Sequence, residues 1–171
     1  SASTDGGLGA IRAMEPIVRF SGIDLIVACD VATSFLNAPS IFGPQKGATE
    51  AQIELLKRHL SLLAEMYLDE YGVDVTNMPR SGAAGGLAGG LAAVGARLVD
   101  GFDLIAEEVE LEDAMSTADL VITGEGRLDS ESFNGKVVGG VAVIAERHDV
   151  PVVAVVGELD PETTVPEGIS V

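Results

Sequence analysis

Positive charge is scarce in this sequence: ten Lys and Arg stand against 27 Asp and Glu in 171 residues, a formal net charge of −17. Phosphate backbones and anionic membrane faces are held by clustered cations, so neither nucleic acid nor a membrane surface is an expected partner. Cysteine is limited to Cys29. A lone thiol builds no disulfide framework, and its place at the end of the apolar run "DLIVAC" reads as buried and inert. Tryptophan is absent and histidine is limited to His59 and His148. Neither histidine has a neighbour at catalytic or metal-ligand spacing, which leaves a Ser-His-Asp hydrolase or a zinc centre without support. The longest uncharged tract, "SGAAGGLAGGLAAVGA" (81–96), is too rich in Gly and Ala to make a membrane span, and no charged-then-apolar leader is recognisable. These absences together predict a soluble protein of a reducing compartment, most simply the cytoplasm.

What is present predicts an α/β fold. Hydrophobic residues make up 47% of the chain and charged ones 22%, which suits a packed core rather than disorder. "IDLIVACDV" reads as a strand buried on both faces, with Asp30 at its end. "TEAQIELLKRHLSLLAEMYLDEYG" reads as an amphipathic helix with Ile53, Leu56, Leu60, Leu63 and Tyr67 on one stripe. Thr49 and Gln52 stand at capping-box spacing, and Gly72 is the stop. Further on, "ADLVITG" (118–124) predicts a strand, "KVVGGVAVIAERH" (136–148) a helix and "PVVAVVGE" (151–158) a strand. That is a βαβ unit with parallel strands, whose loops "TGEGRLD" and "VGELDPE" emerge at the carboxyl edge, where open parallel sheets bind ligands.

The chain has three lysines, and two of them sit beside glycines at helix entries. Lys136 opens the 136–148 helix, where the dipole disfavours a cation. Either a bound phosphate or carboxylate compensates it, or an internal ion pair to Glu125 or Asp129 does. The same stretch, "GEGRLDSESFNGK", offers Gly124, Gly126 and Arg127 as anion-holding groups, and Glu125 and Asp129 as ligands for a cation. Lys46 lies in "FGPQKGA" ahead of the long helix. Lys57 reads as ordinary helix-surface charge. "RSGAAGGLAGGL" (80–91) serves either as a backbone cradle for phosphate, from Ser81 and Gly82 to Gly85 and Gly86, or as tight small-residue packing. "STDGGLGA" reads as an active-site turn around Asp5, or as a frayed terminus.

Taken in order, "STDGGLGA", the "ACDV" strand end, "FGPQKGA", "GAAGGLAGGL" and "TGEGRLD" followed by "NGK" resemble the glycerate kinase family along essentially the whole chain. The resemblance implies about half of a family member, with segments missing before and after. It implies a two-domain α/β protein in which one domain, discontinuous and Rossmann-like with a parallel sheet, receives a second α/β domain as an insertion. Residues 1–116 would belong mostly to the inserted domain and 117–171 to the Rossmann-like one. It also implies an ATP-dependent kinase of D-glycerate that uses Mg²⁺ and gives 2-phosphoglycerate. Lys46 and Lys136 would hold phosphate or glycerate charges and Gly82 to Gly86 the cradle. Glu125 and Asp129 would handle the metal or water, and Asp5 or Asp30 would be the general base. A kinase of a related small hydroxy acid and a non-catalytic anion-binding module are the competing expectations. Oligomeric state is not legible.

Overall fold

The computed structural model describes residues 3–17, 22–133 and 136–171. The chain divides into two compact units, Ser1–Val99 and Asp100–Val171.

The first unit is organised around one long helix. After α1 (Leu8–Met14) and β1 (Ile26–Cys29), a 3-10 turn at Phe35–Asn37 leads into the short α2 (Ala38–Phe42). A second 3-10 turn, Pro44–Lys46, precedes α3 (Glu50–Tyr71). The expected capping box is formed: Thr49 Oγ1 accepts from Gln52 N, and Gln52 Oε1 accepts from Thr49 N. A cap of this kind stabilises a helix by about 1 kcal/mol. Gly72 ends α3 in the left-handed conformation, φ 73°. The stripe buries Leu60, Leu63, Ala64 and Tyr67 against Phe35, Ala38, Val75 and Ala93. Each large side chain so buried contributes roughly 1.5–3 kcal/mol of apolar transfer. A left-handed turn at Ala84–Gly86 opens α4 (Leu87–Ala93), and β2 (Arg97–Asp100) then pairs with β1. Cys29 is buried, as expected, in a small cluster with Ala83 and Ala88. Ile26 is exposed, so β1 is not covered on both faces as expected.

The second unit is the βαβ portion. Asp100 accepts hydrogen bonds from Phe102 N and Asp103 N at the start of α5 (Gly101–Glu108), and α6 (Leu111–Met115) follows. Then come β3 (Val121–Leu128), α7 (Val137–Arg147), β4 (Val152–Leu159) and the short β5 (Ile169–Ser170). The sheet order is β3-β4-β5, with both pairings parallel. On one face α7 and α6 pack Val141, Ile144, Ala145 and Met115 around Val152, and Val138 packs with Leu128 and Ala154. On the other face Ile122 is 69% exposed and Val155 63%. Among the described residues of this unit, helices pack on one face of the sheet. No helix among the described residues is long and apolar enough to cross a membrane.

Candidate functional site

In the first unit the Asp5 turn is an ordered structure. The Asp5 carboxylate accepts from Gly7 N through Oδ1 (3.2 Å) and from Gly9 N through Oδ2 (3.3 Å), which fixes it across the entry to α1. Lys46 returns to the same segment from 43 residues away: its Nζ donates to the Ser3 carbonyl at 2.8 Å and to Thr4 Oγ1 at 3.3 Å. Lys46 and Thr4 line an open cavity of about 350 Å³ together with Gly43, Gly47, Gln52 and Leu55. Gly6 N donates to the Gly85 carbonyl at 3.1 Å. The structure thus gathers three sequence motifs, those of Asp5, Lys46 and Gly85, into one place.

The glycines of the 80–91 segment are explained by that gathering. Gly85 has φ +69°, and a Cβ there would collide with the Ser3 carbonyl. Gly86 faces the Gly6 Cα, and Gly82 faces the Ser34 carbonyl while donating its N–H to the Thr33 carbonyl. All three are buried. Backbone packs on backbone here, so close packing accounts for the absence of side chains. Ser81 is 0% exposed and its hydroxyl lies within hydrogen-bond distance of the Val75 (3.0 Å) and Met78 (2.6 Å) carbonyls. Its side chain is placed to hold the turn. Asp30 follows β1 and is exposed. Lys57 pairs with Glu54 at 2.7 Å on the surface of α3, the ordinary role expected of it.

In the second unit β3 runs further than the sequence implies. The expected strand ends at Gly124, where the loop "TGEGRLD" takes over, yet the ladder runs on: Gly124 pairs with Val155, Glu125 with Val156 and Arg127 with Glu158. The reason lies in the partner strand, whose Val-rich run supplies a straight edge and whose Val155 carbonyl would collide with any Cβ on Gly124. The strand-to-helix connection therefore begins at Asp129. Asp129 Oδ1 accepts from Ser132 N at 3.2 Å, closing a turn over Ser130–Phe133. Lys136 is the N-cap residue of α7 and reaches Asp129 Oδ1 at 4.0 Å. Asn134 and Gly135 of the "NGK" segment lie outside the described residues.

The charges on this connection differ in their partners. Arg127 donates to Asp160 Oδ2 at 2.9 Å, and this bond, with the nearby Glu158 and Asp160 charges, holds the guanidinium above its ordinary value. Asp160 is held below the usual carboxylate range, first by the Glu162 N–H and then by Arg127. Arg127, expected to hold an anion, thus has an internal one. Glu125 is half-buried in the strand, and its Oε1 is buried with no hydrogen-bond partner among the described residues. A buried carboxylate oxygen without a donor is costly unless a cation meets it. Among the described residues no group of three or more His, Cys, Asp or Glu could hold a metal ion.

Long-range partners are not signalled by the sequence pattern. Ser3 and Thr4 as partners of Lys46 are too far along the chain to be paired by spacing. Tyr67 was placed on the core stripe by periodicity, which is where it lies, but nothing in the helix signals that its hydroxyl donates to the Gly6 carbonyl at 2.9 Å.

Comparison with known proteins assigns this arrangement to a lineage. Residues 15–170 match the model of the glycerate kinase family. The chain is 37% identical to glycerate 2-kinase of Escherichia coli and 40% identical to glycerate kinase of Bacillus subtilis, in each case over 93% of this chain and 50% of the relative. The crystal structure of a Salmonella typhimurium LT2 protein assigned as glycerate kinase 2 superposes with a TM-score of 0.74 at 36% identity, covering 92% of this chain and 51% of that one. The chain spans about half the length of the curated relatives it matches. On the family match and on the recurrence of these identities over nearly its whole length, the chain belongs to the glycerate kinase family.

Proposed function

We propose that this chain, within a protein of its relatives' length, phosphorylates D-glycerate in the cytoplasm, with ATP as donor and 2-phosphoglycerate as product. The acceptor class comes from the names of the relatives, and the 2-position from the Escherichia coli one. The observation that carries the reading from this chain's own residues is the β3–α7 connection. There a lysine occupies the N-cap of an 11-residue helix while Glu125, on the strand before it, keeps a buried oxygen without a hydrogen-bond partner among the described residues.

Phosphoryl transfer asks a protein mainly for positioning and charge neutralisation. Lys136 and the first N–H groups of α7 would hold a phosphate oxygen. Glu125, whose Oε1 has no hydrogen-bond partner among the described residues, and Asp129 would handle Mg²⁺ directly or through its waters. Two protein carboxylates suit that ion, which commonly keeps its waters and takes substrate phosphates for the rest of its shell. Bound there, it would neutralise charge that develops on the transferring phosphoryl group. In the first unit Lys46 would hold the glycerate carboxylate. Of the two carboxylates considered as base, Asp5 is oriented through both oxygens and Asp30 is exposed. Asp5 is therefore assigned the hydroxyl proton, because a base acts from a fixed position.

The test is an assay of the full-length protein with ATP, Mg²⁺ and a panel of small hydroxy acids, with the phosphorylated position read by NMR. Turnover confined to another hydroxy acid would move the substrate. An anion-binding protein without turnover would remove the catalytic reading.

A further inference from the structure

We propose that Tyr67 is a positioning residue: its hydroxyl fixes the Gly6–Gly7 peptide and, through it, the orientation of the Asp5 carboxylate. The inference rests on the reading of Asp5 as a functional carboxylate, and it assigns the group that keeps it in place.

Tyr67 is 0% exposed, and its ring packs edge-on to Phe35 with centroids 6.2 Å apart. A phenylalanine would fill that space equally well. The hydroxyl must then be accounted for separately, since an unbonded buried hydroxyl is costly. It donates to the Gly6 carbonyl, 61 residues away in sequence, at 2.9 Å. That carbonyl belongs to the same peptide unit as Gly7 N, which donates to Asp5 Oδ1 at 3.2 Å. One planar unit is thus held from the core on its carbonyl side and holds the carboxylate on its amide side. Without the hydroxyl it lies between two glycines, at φ 65° and φ 81°, which leave its plane the freest of any pair of residues to rotate.

Two further features agree. Burial, and after it the charge on Asp5, pushes the Tyr67 phenol above its ordinary value, so the group remains a protonated donor. Gly90 leaves room for the bond: a Cβ there would lie 2.6 Å from the Gly6 oxygen and 3.0 Å from the Tyr67 hydroxyl.

The experiment compares the full-length wild-type protein with Tyr67→Phe, and with Gly90→Ala as a second way of disturbing the same bond. In wild type and Tyr67→Phe, kcat and KM for glycerate are measured beside amide hydrogen exchange at Gly7. Expected in Tyr67→Phe are a native fold by near-UV circular dichroism, a fall in kcat of about tenfold with KM within about twofold, and Gly7 exchange faster by about tenfold or more. Gly90→Ala should accelerate the same amide, which decides the matter if Tyr67→Phe does not fold. Unchanged Gly7 exchange overturns the proposal, and so does a lowered melting temperature with kcat intact. If wild type itself does not phosphorylate glycerate, the functional reading fails on its own, while Gly7 exchange still decides whether Tyr67 holds the turn.

Discussion

Lys136 Nζ lies 4.0 Å from Asp129 Oδ1, with both side chains partly open to solvent. An exposed pair of this kind contributes about 0–1 kcal/mol, and a cation at a helix N-terminus costs a similar amount. The two nearly cancel, so the Asp129 pair by itself gives Lys136 little net stabilisation. If the lysine serves a ligand, as proposed, Lys136→Met should lose turnover while keeping its fold.

Gly85→Ala should destabilise the first unit by about 2 kcal/mol or more, because a side chain there must adopt a left-handed backbone and displace the Ser3 carbonyl. Gly126→Ala meets no atom within 4 Å. Thermal unfolding of the full-length variants should separate the two, with Gly126→Ala close to wild type. Turnover lost in Gly126→Ala with the fold intact would mark close approach of a phosphate to that strand.

Ser81→Ala removes the buried hydroxyl beside the Val75 and Met78 carbonyls. The expected cost is about 1–3 kcal/mol in stability. Titration of ATP should show its Kd within about twofold of wild type, since the hydroxyl faces the turn it holds.

Acid stability should depend on Asp160. Its carboxyl is held below the usual range in the folded protein, by the Glu162 N–H and then by Arg127. A depressed folded value means that the contribution is fully present above the unfolded value, about 3.9, and is lost as pH falls through the folded one. Asp160→Asn should therefore lower the melting temperature most at about pH 5 and above, with the difference from wild type closing in stronger acid. A difference that widens in acid would reverse the assignment.

The choice of base is tested by Asp5→Asn against Asp30→Asn in the full-length protein. Loss of a general base costs about 10²–10⁴ in kcat. That loss is expected for Asp5, with Asp30→Asn far milder; the opposite order would transfer the role to Asp30.

What the sequence made legible was mostly local. The capping box of α3, its buried stripe and its glycine stop depend on residues three to four apart, and each is formed as the pattern implies. The parallel pairing of β3 with β4 followed from two apolar runs flanking a helix. The extent of β3 beyond Gly124 did not, because the glycine at 126 and the charges around it read as a loop, whereas the partner strand carries the ladder on to Leu128. The family and its motifs were legible as well, but the geometry within them was not. Lys46 on Ser3, Gly6 on Gly85 and Tyr67 on Gly6 are long-range hydrogen bonds. No periodicity encodes them, since each depends on how distant segments pack.

The decisive measurement is transfer of the γ-phosphate of ATP to D-glycerate by full-length wild-type, Lys136→Met and Lys57→Met proteins, all shown to melt at the same temperature. Removing a charge that stabilises the transferring group should lower kcat/KM by about a hundredfold or more in Lys136→Met. Lys57→Met, which removes only a surface ion pair, should stay within about twofold. Equal and small losses in the two variants would contradict the claim that the helix entry at Lys136 handles phosphate.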